Sequence, residues 1–484
     1  MLFNSLSFAV FLPVVFGLYW MLQRKNLVYQ NILLLLSSYY FYGSWNVRFL
    51  GLIVLSSGVD YVIGRALGRE ENPRIRKLLL GVSIAVNIGL LAFFKYMNFF
   101  LESFMELGNS LGFQMAFVPW NIILPVGISF YTFQTLSYTI DIYRGKLQPI
   151  QDPISFFAFV AFFPQLVAGP IERARDLLPQ FLKKREFDSD FATEGLQLIL
   201  WGLFKKIVIA DQIATYINPV FADVEAYSGI PLILASLGFS ILIYCDFSGY
   251  SDIAIGTARL FGFRLTINFR APYFASSIRE FWNRWHISLF SWFRDYIYFP
   301  LGGSRVRRGK WVFNILLVFG VSGLWHGAAF TFIAFGLVHG LLYLGEWKIN
   351  QLFPQKRRLT PWINGLVTFV LVVLSWVLFR SESMADALYI YRHLPQGLWE
   401  QLTQPDVFLD AISAGFFTIR EGIYIWASLA VFVLFEVKMK SGDPTEYFRS
   451  LSRSRRWSVV YVLTGWILMF GAYEKVQEFI YFQF

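Results

Sequence analysis

Of the 484 residues, 56% are hydrophobic, 19% aromatic and only 15% charged. With apolar runs of membrane-spanning length recurring from end to end, this excludes a string of soluble domains and describes an all-α, polytopic transmembrane helical bundle, a single membrane-embedded domain over 1–484. The formal net charge of +10 is dispersed in short Arg and Lys stretches between apolar runs, as the positive-inside bias requires, and forms no compact basic face, which argues against nucleic acid as a partner.

In chain order, apolar runs at Ser5 to Leu22, Leu27 to Trp45, Phe49 to Ala66 and Leu78 to Phe94 predict four spans. No basic n-region and no small-x-small cleavage site accompany the first run, so it is expected to be an uncleaved span and not a removed signal peptide. Arg24 and Lys25 follow the first run, and Arg65, Arg69, Arg74, Arg76 and Lys77 close the third. Both connections are expected in the cytoplasm, with the N-terminus outside.

The next two stretches are less regular. Leu124 to Gln134 contains the helix breaker Pro125, and Phe156 to Ile171 is interrupted by Pro164, Gln165, Gly169 and Pro170. Broken backbone at membrane depth is tolerated only when buried in protein or lining a wet cavity. These segments are therefore either re-entrant or pore-lining helices, or simple kinked spans.

Further spans are expected near Thr193 to Ala214, Pro231 to Tyr244, Trp311 to Leu344, Pro361 to Leu378, Tyr424 to Phe435 and Trp457 to Phe470. The run from Trp311 to Leu344 is much longer than the ~20 residues a bilayer needs. It must tilt steeply, break near one of its glycines, or be two helices. The total is about eleven spans, with re-entrant and interfacial helices among them. Arg380 to Arg420 is the largest mixed-polarity insertion, expected outside the bilayer or along its surface, with His393 as an exposed loop residue. The lone cysteine, Cys245, excludes an internal disulfide and a cysteine-based metal site, and reads as a small core residue.

Three of the four histidines lie between Phe281 and His339. Ser277 and Glu280 have the spacing of a capping box, which explains Glu280 without a catalytic role. Beyond that cap, Arg279, Asn283 and His286 recur at helical spacing on one side, and Trp282, Trp285, Leu289 and Phe293 on the other. An amphipathic, interfacial helix is expected, its polar face turned either to a cavity or to lipid headgroups. His326 sits about halfway along an uncharged run, where an ionisable group is costly and by default functional. On a continuous helix His339 would stand ~20 Å of rise and ~140° of rotation from it, so His339 is expected nearer a membrane surface in a structural role.

Asp246 and Asp252 flank the polar stretch Phe247 to Ser251, read as an interruption after a span. They either line a water-filled cavity or cap the helix that follows. His286 and His326 lack a local zinc spacing, so no metal is expected. A Walker-type loop and a Gly-x-Ser-x-Gly turn are also missing. What remains is a buried histidine acting as general base, with Arg305, Arg307, Arg308 and Lys310 serving either to hold phosphates on the cytoplasmic side or only to set topology.

The chain resembles the membrane-bound O-acyltransferase family. The matching stretches are Leu124 to Tyr131, Phe163 to Ile171, Cys245 to Asp252, Phe281 to Ser304, and Ser322-Gly323-Leu324-Trp325-His326-Gly327. The resemblance places the family's membrane histidine on His326 and the second histidine of its bacterial branch on His286. It implies a ring of helices around a thinned centre or tunnel, in a bacterial cytoplasmic membrane. An acyl group, acetyl in the first instance, would pass from a cytoplasmic thioester, with acetyl-CoA as donor and no permanently bound cofactor. The acceptor would be a hydroxyl of an extracytoplasmic polysaccharide such as alginate, reached directly or through a secreted acetyltransferase partner. Asn283, Arg279 and Trp325 are the expected substrate-binding residues, and Arg305 and Arg307 the donor-binding ones. D-alanyl transfer to teichoic acid and peptidoglycan O-acetylation use the same motifs. A transporter or a noncatalytic export scaffold is the competing class, weakened by the lack of visible repeat halves.

Overall fold

The computed structural model describes residues 1–116, 118–353, 361–415, 419–439, 443–473 and 479–480, and every regular element among them is helical. Among the described residues, six helices are long and apolar enough to cross a membrane: Leu6–Arg24, Val47–Arg69, Pro73–Ser110, Ile230–Leu260, Phe330–Leu352 and Pro361–Arg380. The chain is a multi-pass membrane protein. Other expected spans are helical as well, at Leu27–Gly43, Ser189–Leu203, Ile419–Lys438 and Arg453–Phe470, but fall short of that combination of length and apolarity. The insertion after Arg380 forms three short helices, Met384–His393, Leu398–Thr403 and Pro405–Gly415, and its residues 416–418 lie outside those described. His393 ends the first of these and is half-buried, with its ring stacked on Tyr389 at 3.7 Å, so it is not an exposed loop residue.

The described chain divides into two compact units, Met1–Leu196 with Ala254–Thr266, and Gln197–Ile253 with Ile267–Phe484. In the first, helix starts follow local chemistry. Ser5 Oγ accepts from Phe8 N (3.2 Å), and Asn72 Oδ1 accepts from Arg74 N (3.0 Å) with Pro73 in the first helical turn. The two irregular stretches meet here. Helix Ile128–Tyr143 starts after Gly127, whose φ of 77° and whose approach to Leu166 O, 2.6 Å from an added Cβ, admit only glycine. The second stretch is a helix Pro153–Ala161, a break at Phe162 and a four-residue turn Phe163–Leu166. All of residues 161–170 are buried, and side chains satisfy the broken backbone. Gln134 and Gln165 both donate to Phe159 O (2.9 and 3.1 Å), and Ser38 Oγ accepts from Phe163 N (3.0 Å).

The second unit holds residues 230–253 of Ile230–Leu260, a helix of 31 residues that runs straight through Asp246 and Asp252. The expected interruption is absent, and neither carboxylate caps a helix. Gly249 is instead a packing notch, since a Cβ on Gly202 would come within 2.5 Å of Gly249 O. That contact sets the π-helical stretch Phe204–Ala210 against the long helix. Lys205 then pairs with Asp252 (2.6 Å), and Lys206 with Asp211 and Asp246 (2.7 Å each), so each of these carboxylates has a lysine partner. Asp246 and Lys206 also border a small cavity of about 30 Å³.

The long run after Trp311 is two helices, Arg308–His326 and Phe330–Leu352, broken at Gly327. They approach closely because added Cβ atoms on Gly323 and Gly336 would lie 2.2 Å from Phe332 O and Phe319 O respectively. Cys245 is fully buried in the core of this unit, as expected.

Candidate active site

Helix Ile278–Arg284 begins where Ser277 Oγ accepts from Glu280 N (3.0 Å). The Glu280 carboxylate accepts from Ser276 N and Oγ (2.8 Å each) and not from Ser277, so the expected capping box closes one residue early. Burial works against ionisation of Glu280, but the bonds from Ser276 and the Arg284 guanidinium hold its carboxyl below the usual range. Glu346 adds a cap from another helix, accepting from Ile278 N (2.9 Å).

The helix ends at Arg284. His286 takes a left-handed conformation (φ 43°, ψ 52°), and a second short helix, Ile287–Phe293, starts immediately after it. The single amphipathic helix expected here therefore does not exist, and neither does a common face for Arg279, Asn283 and His286. Arg279 and Asn283 are exposed, whereas the reversal at His286 turns its ring inward and buries it completely.

His326 is the last residue of its helix, not the midpoint of a continuous span. The turn at Gly327 sets it in the interior, 3% exposed. There it meets His286, with ring centroids 6.3 Å apart and planes inclined by 56°. Trp325 lies beside both rings, 5.9 Å from His286 and 5.1 Å from His326. Phe379 stands 5.3 Å from His326, and Phe247 meets His286 edge-on at 4.7 Å. Two imidazoles in an aromatic enclosure can accept and pass on a proton with little competition from bulk water.

His339 is spent elsewhere. Trp282 Nε1 donates to its Nδ1 (3.2 Å), and its Nε2 meets Ser375 Oγ (2.8 Å). Because an indole nitrogen can only donate, Nδ1 must be the acceptor and Nε2–H the donor. The ring is fully buried, which fits a structural role.

Arg279 and Asn283 border a different feature, a cavity of about 650 Å³ whose wall also holds Arg294, Tyr298, Ser304 and Arg308. Neither His286 nor His326 is on that wall. From the basic loop it is Arg308 that faces the cavity, while Arg305 and Arg307 are exposed away from its lining. Arg308 donates to Gln351 Oε1 (2.9 Å) and lies 4.7 Å over the Trp347 ring. Arg294 pairs with its neighbour Asp295 (2.9 Å).

Three contributors escaped the sequence reading. Asn268 Oδ1 lies 3.1 Å from His286 Nδ1, and Phe247 and Phe379 wall the pair. Asn268 and Phe379 sit in stretches with no distinguishing spacing and Phe247 in one read only as a polar interruption, and the tertiary fold brings all three to the histidines.

A family model described as MBOAT, membrane-bound O-acyltransferase family, matches residues 147–384, a range that holds both histidines. The chain is 42% identical over 405 residues to a "Probable alginate O-acetylase" of Pseudomonas aeruginosa, covering 83% of this chain and 76% of the relative. It is 36% identical over 422 residues to a "Peptidoglycan O-acetyltransferase" of Helicobacter pylori, covering 81% and 79%. A "Teichoic acid D-alanyltransferase" of Bacillus subtilis is 29% identical over 280 residues, covering 54% and 70%.

Proposed function

The chain belongs to the membrane-bound O-acyltransferase family and is an O-acyltransferase; from this premise we propose that it moves an acetyl group from cytoplasmic acetyl-CoA to a hydroxyl of an extracytoplasmic polysaccharide. One membrane-embedded domain over 1–484 does this in the bacterial cytoplasmic membrane. The observation that carries the reading is the meeting of His286 and His326, 6.3 Å apart in a buried aromatic enclosure. An alginate-like acceptor is favoured over teichoic acid by the higher identity and coverage of the acetylating relatives. Delivery runs directly or through a secreted acetyltransferase partner.

His326 takes the proton of the acceptor hydroxyl as the oxygen attacks the thioester carbonyl. The tetrahedral intermediate then expels the coenzyme thiolate, which receives that proton, so an ester and a free thiol are the products. His286 orients the acceptor or shares the proton. In the covalent variant His326 itself attacks and carries the acyl group before the acceptor takes it. Arg279, Arg294 and Arg308 on the cavity wall supply the charge for the donor's phosphates, with Asn283 beside them. Arg305 and Arg307 add long-range attraction from the exposed loop.

Transfer of radiolabel from acetyl-CoA to polysaccharide by the protein in proteoliposomes tests this. His326→Ala is expected to lose on the order of 100 to 10,000-fold in rate with normal protein level and insertion. Transfer by His326→Ala near the wild-type rate overturns the reading. Solute movement without ester formation would place the protein among transporters.

A further inference from the structure

The backbone around His286 is held by bonds from Asn268 and Arg270, and Asn268 is itself 1% exposed. Its carbonyl oxygen accepts from Ile287 N (3.0 Å), and two residues on Arg270 N donates to Arg284 O (2.9 Å). These bonds clamp the chain on both sides of the left-handed residue, a conformation that is costly for a non-glycine side chain and persists only when the surroundings impose it. The Asn268 amide nitrogen donates to Ser251 Oγ (3.3 Å), tying the clamp to the long helix Ile230–Leu260.

The same side chain decides the protonation pattern of the imidazole. Asn268 Oδ1 accepts from Ser288 N (3.2 Å) and from Ser288 Oγ (2.9 Å). A backbone N–H can only donate, so the atom it faces is the amide oxygen, and the orientation of the amide is fixed. His286 Nδ1 lies 3.1 Å from that oxygen. Two acceptors at this distance would repel, so Nδ1 carries the hydrogen and Nε2 carries the lone pair.

Resting on the acyl-transfer reading above, we propose that Asn268 is a positioning residue for that reaction: it locks His286 in its left-handed turn and in the Nδ1–H tautomer, leaving Nε2 as the basic nitrogen. A neutral amide suits this task in the apolar interior. It accepts the Nδ1 hydrogen without adding a buried negative charge that would stabilise the imidazolium and blunt the base.

Nitrogen NMR of the full-length protein in bilayers, with ring-labelled histidine and His286→Gln as the assignment control, reads the tautomer directly. Wild type is expected to show His286 protonated at Nδ1 only. Asn268→Ala is expected to lose that preference and to lower kcat about tenfold or more with little change in KM for acetyl-CoA. Asn268→Asp keeps an acceptor and should recover protonation at Nδ1. Wild-type His286 protonated at Nε2 overturns the proposal whether or not any Asn268 variant folds. So does an Asn268→Ala protein with unchanged tautomer and kcat. Wild-type rates from His286→Gln would instead remove His286 from the reaction, a failure of the underlying reading that is separate from the tautomer result.

Discussion

The histidines divide by what their ring nitrogens already hold. His339 donates to Ser375 and accepts from Trp282, so neither nitrogen is available for a substrate. His286 commits Nδ1 to Asn268. His339→Ala is accordingly expected to strand the buried Trp282 N–H and to destabilise the protein by about 1–3 kcal/mol. Acyl transfer per folded molecule should stay within a fewfold of wild type. A thermal-shift series in detergent, paired with specific activity, checks this. Intact stability with lost turnover would assign His339 to the chemistry and not to the scaffold.

Among the helices, the cavity bordered by Arg279 and Arg308 gathers arginines from different elements, one in the short helix Ile278–Arg284 and the other at the start of Arg308–His326. Charge-assisted bonds to phosphate are worth about 1.5–3 kcal/mol each, and a factor of ten corresponds to about 1.4 kcal/mol. Changing Arg279 and Arg308 together to Gln should therefore raise KM for acetyl-CoA about tenfold or more, with a smaller effect on kcat, because contacts remote from the carbonyl act alike in ground and transition states. The Arg305→Gln and Arg307→Gln pair should do less, since those side chains are off the wall. Steady-state kinetics at varied donor concentration separates the two pairs, and equal effects would relocate the donor to the exposed loop.

The sequence shows this element only in part. Hydrophobic periodicity is enough to place the helices and the break near Pro164, because apolar spacing and helix breakers are local signals. The turn at His286 is not legible. Arg279, Asn283 and His286 fit one helical face, and the bonds that hold the turn after Arg284 come from Asn268 and Arg270, which are nonlocal. Gly249 misleads for the opposite reason: a glycine beside two carboxylates reads as an interruption, whereas its missing side chain admits Gly202 and the lysines that pair with Asp246 and Asp252 come from a remote segment.

At the scale of the whole molecule, charge placement predicts an orientation. Residues 70–72 join two membrane-length helices, Val47–Arg69 and Pro73–Ser110, and arginines stand on both sides of the turn. Arg and Lys near span ends bias retention on the cytoplasmic side, whereas acidic residues such as Glu70 and Glu71 contribute little to that bias. The turn is therefore expected inside, as is Arg305 to Lys310, with the N-terminus outside. Cys245 is the only cysteine and is fully buried, so Cys245→Ser supplies a silent background into which single cysteines can be placed. A cysteine in place of Glu71 or Arg307 should react with a membrane-impermeant maleimide only after the cells are opened. One in place of Asn4 should react in intact spheroplasts. If either basic loop is labelled from outside, the charge argument fails, and with it the assignment of the arginine-lined cavity to a cytoplasmic donor.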